Sequence, residues 1–180
     1  MTYFEDLSQY SFDRTAASIR ASRNVGWLDA SHDFPTEEPH SDLLDAVWEY
    51  CSILVVPTRG LHSCEFCTSP LNTFVRHDIR RLFGSGEIRV FSSTGDVFAA
   101  PNLIYHYILQ HHYRPPGEFL RAVESGARPG SDEYREMLGQ LSIDWRENSP
   151  VLDEPRKIRF VRTEKGIEQE VIKPEEDKTP

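Results

Sequence analysis

"GLHSCEFCTSP", residues 60–70, places one histidine and two cysteines within six positions of a chain that has only three cysteines. Cys64 and Cys67 are separated by two residues, the gap that lets both sulfurs reach one tetrahedral ion. A redox pair uses the same gap, but at the start of a helix inside a strand–helix–strand unit. Here Thr68, Ser69 and Pro70 follow at once, and a proline opposes a helix running on from the pair. The stretch reads as half of a metal site. That reading decides the fold, because the other half must be brought back from elsewhere in the chain.

Three histidines are candidates for it. His62 lies two residues before Cys64, and His106 and His111 lie much further on. In order, the pattern is C-x2-C, an intervening hairpin, and H-x4-H. The histidine gap suits a cysteine–histidine zinc site, whereas the 38-residue spacer between Cys67 and His106 far exceeds that of a zinc finger. Positions five apart on an ideal helix differ by about 140° around its axis. His106 and His111 are therefore expected to share an ion only where the helix loosens near its end; otherwise His62 replaces one of them. The metal set is Cys64, Cys67, His106, His111 and His62, and the cofactor it implies is one structural zinc ion.

Outward from the knuckle, "SDLLDAVWEYCS" (41–52) has Leu43, Leu44, Val47, Trp48 and Cys51 on one helical face. Ser41 is the expected N-cap, with Asp42 and Asp45 near the positive end of the helix. Cys51 falls mid-face and reads as a small buried hydrophobe. "ILVVP" (53–57) is a strand. "GEIRVFSSTGDVFAAP" (86–101) reads as a hairpin with Ile88 and Val90 inward and Glu87 and Arg89 outward. A helix is expected from Pro101 to about residue 113, where Pro115 and Pro116 stop it. "PGEFLRAVESG" and "SDEYREMLGQ" give a third helix ending at Gly126 and a fourth capped by Ser131. The fold class is α+β: a small antiparallel sheet with a zinc knuckle and about four helices. Trp27, beside Gly26 in "NVGWLD", reads as core. Tyr113 and Arg114 are expected on a loop between helices, as a contact surface.

The chain carries a formal charge of −9, unevenly spread. Residues 1–50 hold ten acids and three bases, whereas residues 51–100 hold four acids and five arginines, Arg59, Arg76, Arg80, Arg81 and Arg89. The overall sign argues against nucleic acid as partner, leaving a local basic patch as the route by which one could bind. All four lysines come late, beginning at Lys157. That break in usage divides a compact zinc-binding domain, residues 1–150, from a tail, 151–180. In the tail, "KIRFVRTEKGIEQEVIKP" reads as a marginal hairpin and "KPEEDKTP" as a disordered end. No apolar run is long enough to cross a bilayer, and the first residues carry no basic-then-apolar leader, so the expected compartment is the cytoplasm.

"YFEDLSQY", "NVGWLD", "RGLHSCEFC", "GSGEIRV" and "AAPNLIYHYILQHHYRPPGEF" together resemble a family of small uncharacterised bacterial proteins, over about residues 1–125. The resemblance implies a bacterial, cytosolic, single-domain protein. It implies no activity, and it adds weight to His62, Cys64, Cys67, His106 and His111 as a set. Hydrolytic signatures are absent from the sequence: no H-E-x-x-H, no H-x-E ahead of P-C-x-x-C, no G-x-S-x-G and no P-loop. "GSGEIRV" enters a strand rather than a helix, so it does not cradle phosphate. Four protein ligands close the coordination of zinc, which is the structural pattern. The chain is therefore expected to be a non-enzymatic, zinc-stabilised binding module whose partner is another protein, in an immunity-like or adaptor-like role. The alternatives are a zinc-dependent hydrolase with an open position, with Glu65 and Asp78 the nearest acids in sequence, and a nucleic-acid binder using the arginines near the knuckle.

Overall fold

A computed structural model describes residues 2–12, 22–68, 72–151, 157–163 and 166–172. The chain divides into two compact units, Met1–Pro150 and Val151–Pro180. In the first unit the elements run β1 (Ser22–Asn24), α1 (Ser41–Tyr50), β2 (Ile53–Val55), β3 (Thr73–Arg76), β4 (Ile79–Leu82), β5 (Glu87–Phe91), β6 (Val97–Pro101), α2 (Ile104–His111), α3 (Gly117–Ser125), α4 (Asp132–Gln140) and β7 (Trp145–Glu147). The fold is α+β. Five strands form one sheet in the order β1-β6-β5-β2-β7, and β3 and β4 form a separate hairpin. The larger sheet is mixed rather than wholly antiparallel, because β1 runs parallel to β6.

The expected hairpin is the centre of that sheet. β5 and β6 pair antiparallel from Glu87↔Pro101 to Phe91↔Val97, and α1, α3 and α4 all touch β5. The expectation that Glu87 and Arg89 face outward is overturned: every residue of β5 is buried. Arg89 lies opposite Ala99, whose small side chain leaves room for the guanidinium. Its Nη1 donates to Glu87 Oε2 at 2.5 Å, Tyr10 Oη donates to the same carboxylate at 2.8 Å, and the guanidinium lies 4.7 Å over the Tyr10 ring. Burial works against the charge on Arg89, but Glu87 and Tyr10 more than offset it and hold the pKa above the ordinary arginine value. Alternation failed here because the strand is covered on both faces. The main core gathers the inner faces of the helices, while Tyr10, Trp27 and Ala99, with Phe4 against them, form a second small cluster. Trp27 is core as expected, its Nε1 donating to the carbonyl of Ala99 at 3.1 Å.

Other expectations shift in detail. Ser41 is the first residue of α1 rather than its cap; His40 precedes the helix without a side-chain cap bond, and Ser41 Oγ accepts from Arg76 Nη2 instead. Pro101 ends β6 and does not open the next helix, which starts at Ile104. Ser131 does cap α4, accepting from the Tyr134 amide. Tyr113 is buried rather than offered at a surface, and its hydroxyl donates to Asp6 at 2.7 Å. The β3–β4 hairpin was not anticipated. Its turn residues, His77 and Asp78, both take positive φ, 50° and 59°, as a type I′ turn requires. His and Asp tolerate that region better than most residues, but they lack the Asn-Gly signature that reveals such turns in sequence.

The second unit contains a hairpin of β8 (Lys157–Thr163) and β9 (Gly166–Ile172), paired in register from Lys157↔Ile172 to Thr163↔Gly166. The segment expected to be disordered, 173–180, lies outside the described residues.

Removing one member of the buried Arg89–Glu87 pair strands the other. Arg89→Met is expected to destabilise the protein by about 3–5 kcal/mol. Adding Glu87→Gln to it should recover part of that loss, as measured by urea unfolding of the two variants side by side.

Candidate metal centre

The knuckle loop is docked before any ligand is considered. The His62 amide donates to the carbonyl of Gly84 at 2.8 Å, and Asn72 Nδ2 donates back to the His62 carbonyl at 2.8 Å. The approach is so close that a Cβ on Gly84, whose φ is +83°, would lie 2.1 Å from the His62 oxygen; only glycine fits. Gly84 is held in turn by the hydrogen bond its amide donates to Asn102 Oδ1 at 2.7 Å. Asn102 is fully buried and sits just ahead of α2. One chain of hydrogen bonds thus ties the loop carrying the cysteines to the start of the helix carrying the histidines.

α2 stays regular through His111, and the chain reverses at His112, whose φ is 53°. The Tyr113 amide closes the end on the carbonyl of Tyr107 at 3.1 Å. The expected loosening of the helix is not needed: the two imidazoles reach toward each other from positions five apart, and their Nε2 atoms lie 3.2 Å from one another. Cys64 Sγ is 3.3 Å from His111 Nε2. Cys67 Sγ is 3.4 Å from both His106 Nε2 and His111 Nε2. Ligand atoms of these four residues all lie within 4.8 Å of one another, close enough to hold a metal ion.

His62 stands outside this group. Its backbone anchors the loop, and the residue, exposed, lines a separate crevice with Phe12, Trp27 and Leu103. Cys51 is also apart, fully buried with its thiol directed to the carbonyl of Asn102 at 3.6 Å. Among the described residues no carboxylate joins the cluster. Glu65 accepts from the amide of Ala30 at 3.3 Å, and Asp78 occupies the β3–β4 turn. Pro70 lies outside the described residues.

Aromatic rings fix the ligands in place. Phe74, from β3, packs 5.1 Å from the His106 ring. Phe66, inside the knuckle, lies 5.2 Å from the His111 ring and 5.3 Å from Phe34. The unanticipated hairpin therefore serves the centre directly, by walling off one histidine. Burial, with His111 adding to it, pulls the His106 pKa down to about 4, so the ring is a neutral imidazole at neutral pH. Burial and then His112 also lower that of His111. Neutral imidazole is the form that binds metal. Burial, with Cys67 adding to it, pushes the Cys64 thiol up to about 11. Two sulfurs and two imidazole nitrogens this close could hold a cation between them, and a cation there would reverse the thiol preference and favour thiolate.

The chain belongs to the family described as a domain of unknown function, DUF7919, which matches residues 2–124. All four residues of the cluster fall within that match. No curated protein and no solved structure matches the chain. No described helix is long and apolar enough to cross a membrane.

Substitution separates the roles. Cys64→Ser, Cys67→Ser, His106→Ala and His111→Ala are each expected to abolish stoichiometric metal binding, whereas His62→Ala and Cys51→Ser should keep it. Metal content of the purified variants, measured by elemental analysis, checks all six.

Proposed function

We propose that the chain is a zinc-stabilised binding module in which the ion holds the fold and another protein is the partner. The observation that carries the metal half is the set of distances in the cluster. A tetrahedral zinc with bonds of about 2.0–2.1 Å to nitrogen and about 2.3 Å to sulfur has edges of about 3.3 Å between nitrogens and about 3.6 Å between nitrogen and sulfur. The cluster has 3.2 Å between its nitrogens and 3.3–3.4 Å on three nitrogen–sulfur edges. Two thiolates with two imidazoles are a donor set that suits zinc. With four protein ligands the ion keeps no position for water, so it supports the structure and does not activate a nucleophile. The work of the chain then falls to its surface. An acidic chain of this size, with ten of its acids in the first fifty residues, favours a basic protein partner.

X-ray absorption at the zinc edge tests the closed site. Two sulfurs and two nitrogens in the shell are expected; an additional oxygen from water would favour the hydrolytic reading instead. Chelation should also lower the melting temperature by about 10 °C, because a structural zinc contributes several kcal/mol to folding and each kcal/mol moves the midpoint by about 2–4 °C in a unit of this size. Calorimetry with and without chelator reads that shift.

A further inference from the structure

One surface groove has the form of a docking site. Its outer wall is the segment at 35–40, which is laid along the turn after α2: the Glu37 amide donates to the carbonyl of His112 at 2.8 Å, and the Arg114 amide to that of Pro35 at 2.8 Å. The opposite wall is α3, through Leu120 and Glu124. The apolar contact surface of the groove is Leu43 and Leu120, both half-buried, with Ile108 and Pro115 buried beneath them. The groove is a cleft open to solvent rather than an enclosed cavity, too small for a folded domain.

Its charge is one-sided. Four carboxylates, Glu37, Glu38, Asp42 and Glu124, border it against a single guanidinium, Arg114. Arg114 is already engaged, its Nε 3.0 Å from Glu37. His112 lies 3.1 Å from Glu38. Arg114 cancels one of the four formal charges, and His112 another only when protonated, so the border stays net acidic. The carboxylates of Asp42, in the first turn of α1, and Glu124, on α3, make no salt bridge among the described residues, although the Arg128 guanidinium donates to the Glu124 backbone carbonyl at 3.3 Å. An apolar floor bordered by carboxylates is complementary to a segment with one apolar stripe flanked by lysines or arginines.

We propose that this groove binds a basic amphipathic helix of a partner protein, its apolar stripe on Leu43 and Leu120 and its cations on Asp42 and Glu124. This rests on the reading of the chain as a protein-binding module and supplies the chemistry of the partner. Helix-in-groove recognition works through such anchors: apolar residues at helical spacing give affinity, and flanking charges give orientation.

The test uses the full, metal-loaded chain and a synthetic helix of about 14 residues, roughly four turns, with leucines on one face and lysines on the other. Amide shifts in a two-dimensional NMR titration at low salt should concentrate on residues 37–43, 108–115 and 120–124. Asp42→Lys with Glu124→Lys should weaken binding about tenfold or more. Leu120→Ser should weaken it for both that helix and a version with a rearranged charge pattern. A helix of the same apolar stripe with glutamates for lysines should not bind. Shifts spread over the whole acidic surface, or binding unchanged in the Asp42→Lys/Glu124→Lys protein, overturn the proposal. Saturation by free lysine alone would make the groove a small-cation site and equally overturn it. Metal content is measured in the same samples, so a closed zinc centre without groove binding sinks the groove and leaves the metal reading standing. Groove binding by a chain that holds no metal does the reverse.

Discussion

Four donor atoms from two segments 38 residues apart in sequence meet within 4.8 Å, and the chain between them is folded to allow it. Closing a loop of that length costs conformational entropy that grows only slowly with loop size. The protein offsets part of the cost with contacts that do not involve the cluster. Gly84 receives the His62 backbone at a distance no side chain permits, and Asn102 holds Gly84. The β3–β4 hairpin then fills the interior of the loop, putting Phe74 against His106 and against Phe83 at 5.2 Å. An ion at the cluster would lock an arrangement that packing has already approximated.

The sequence made the chemistry of the centre legible and its geometry only partly so. Cys64 and Cys67 announce themselves by spacing, and His106 and His111 by lying on one predicted helix. The choice among three histidines was not legible, because it depends on where the His62 backbone is pinned. Its spacing of two residues from Cys64 would suit a ligand equally well. The pinning needs Gly84, twenty-two residues away, and nothing local marks that contact. Asn102 was missed for a related reason: a lone asparagine before a helix reads as a cap, whereas here it bridges two loops from a fully buried position.

The fold class followed from periodicity wherever one face of an element is wet. α1, α3 and α4 were readable because their apolar positions recur at helical spacing and their outer faces are polar. β5 misled because an arginine and a glutamate in alternate positions look like a solvated face. In the structure they are each other's partners, with Tyr10 brought from about eighty residues away to complete the group. Pairing across that distance leaves no trace in a local pattern. In the observed register of β5 against β6, Ala99 lies opposite the arginine that carries this pair.

Cys51 gives the chain an internal contrast. Its thiol is fully buried, and burial holds it far above the ordinary thiol range, so it is rarely thiolate and out of reach of reagents in water. Cys64 is also buried, whereas Cys67 is only half-buried. The thiol reactivity of the folded protein therefore belongs almost wholly to the cluster. An alkylating reagent thus reports on the cluster, Cys67 above all, and the third cysteine adds no background until the core itself comes apart.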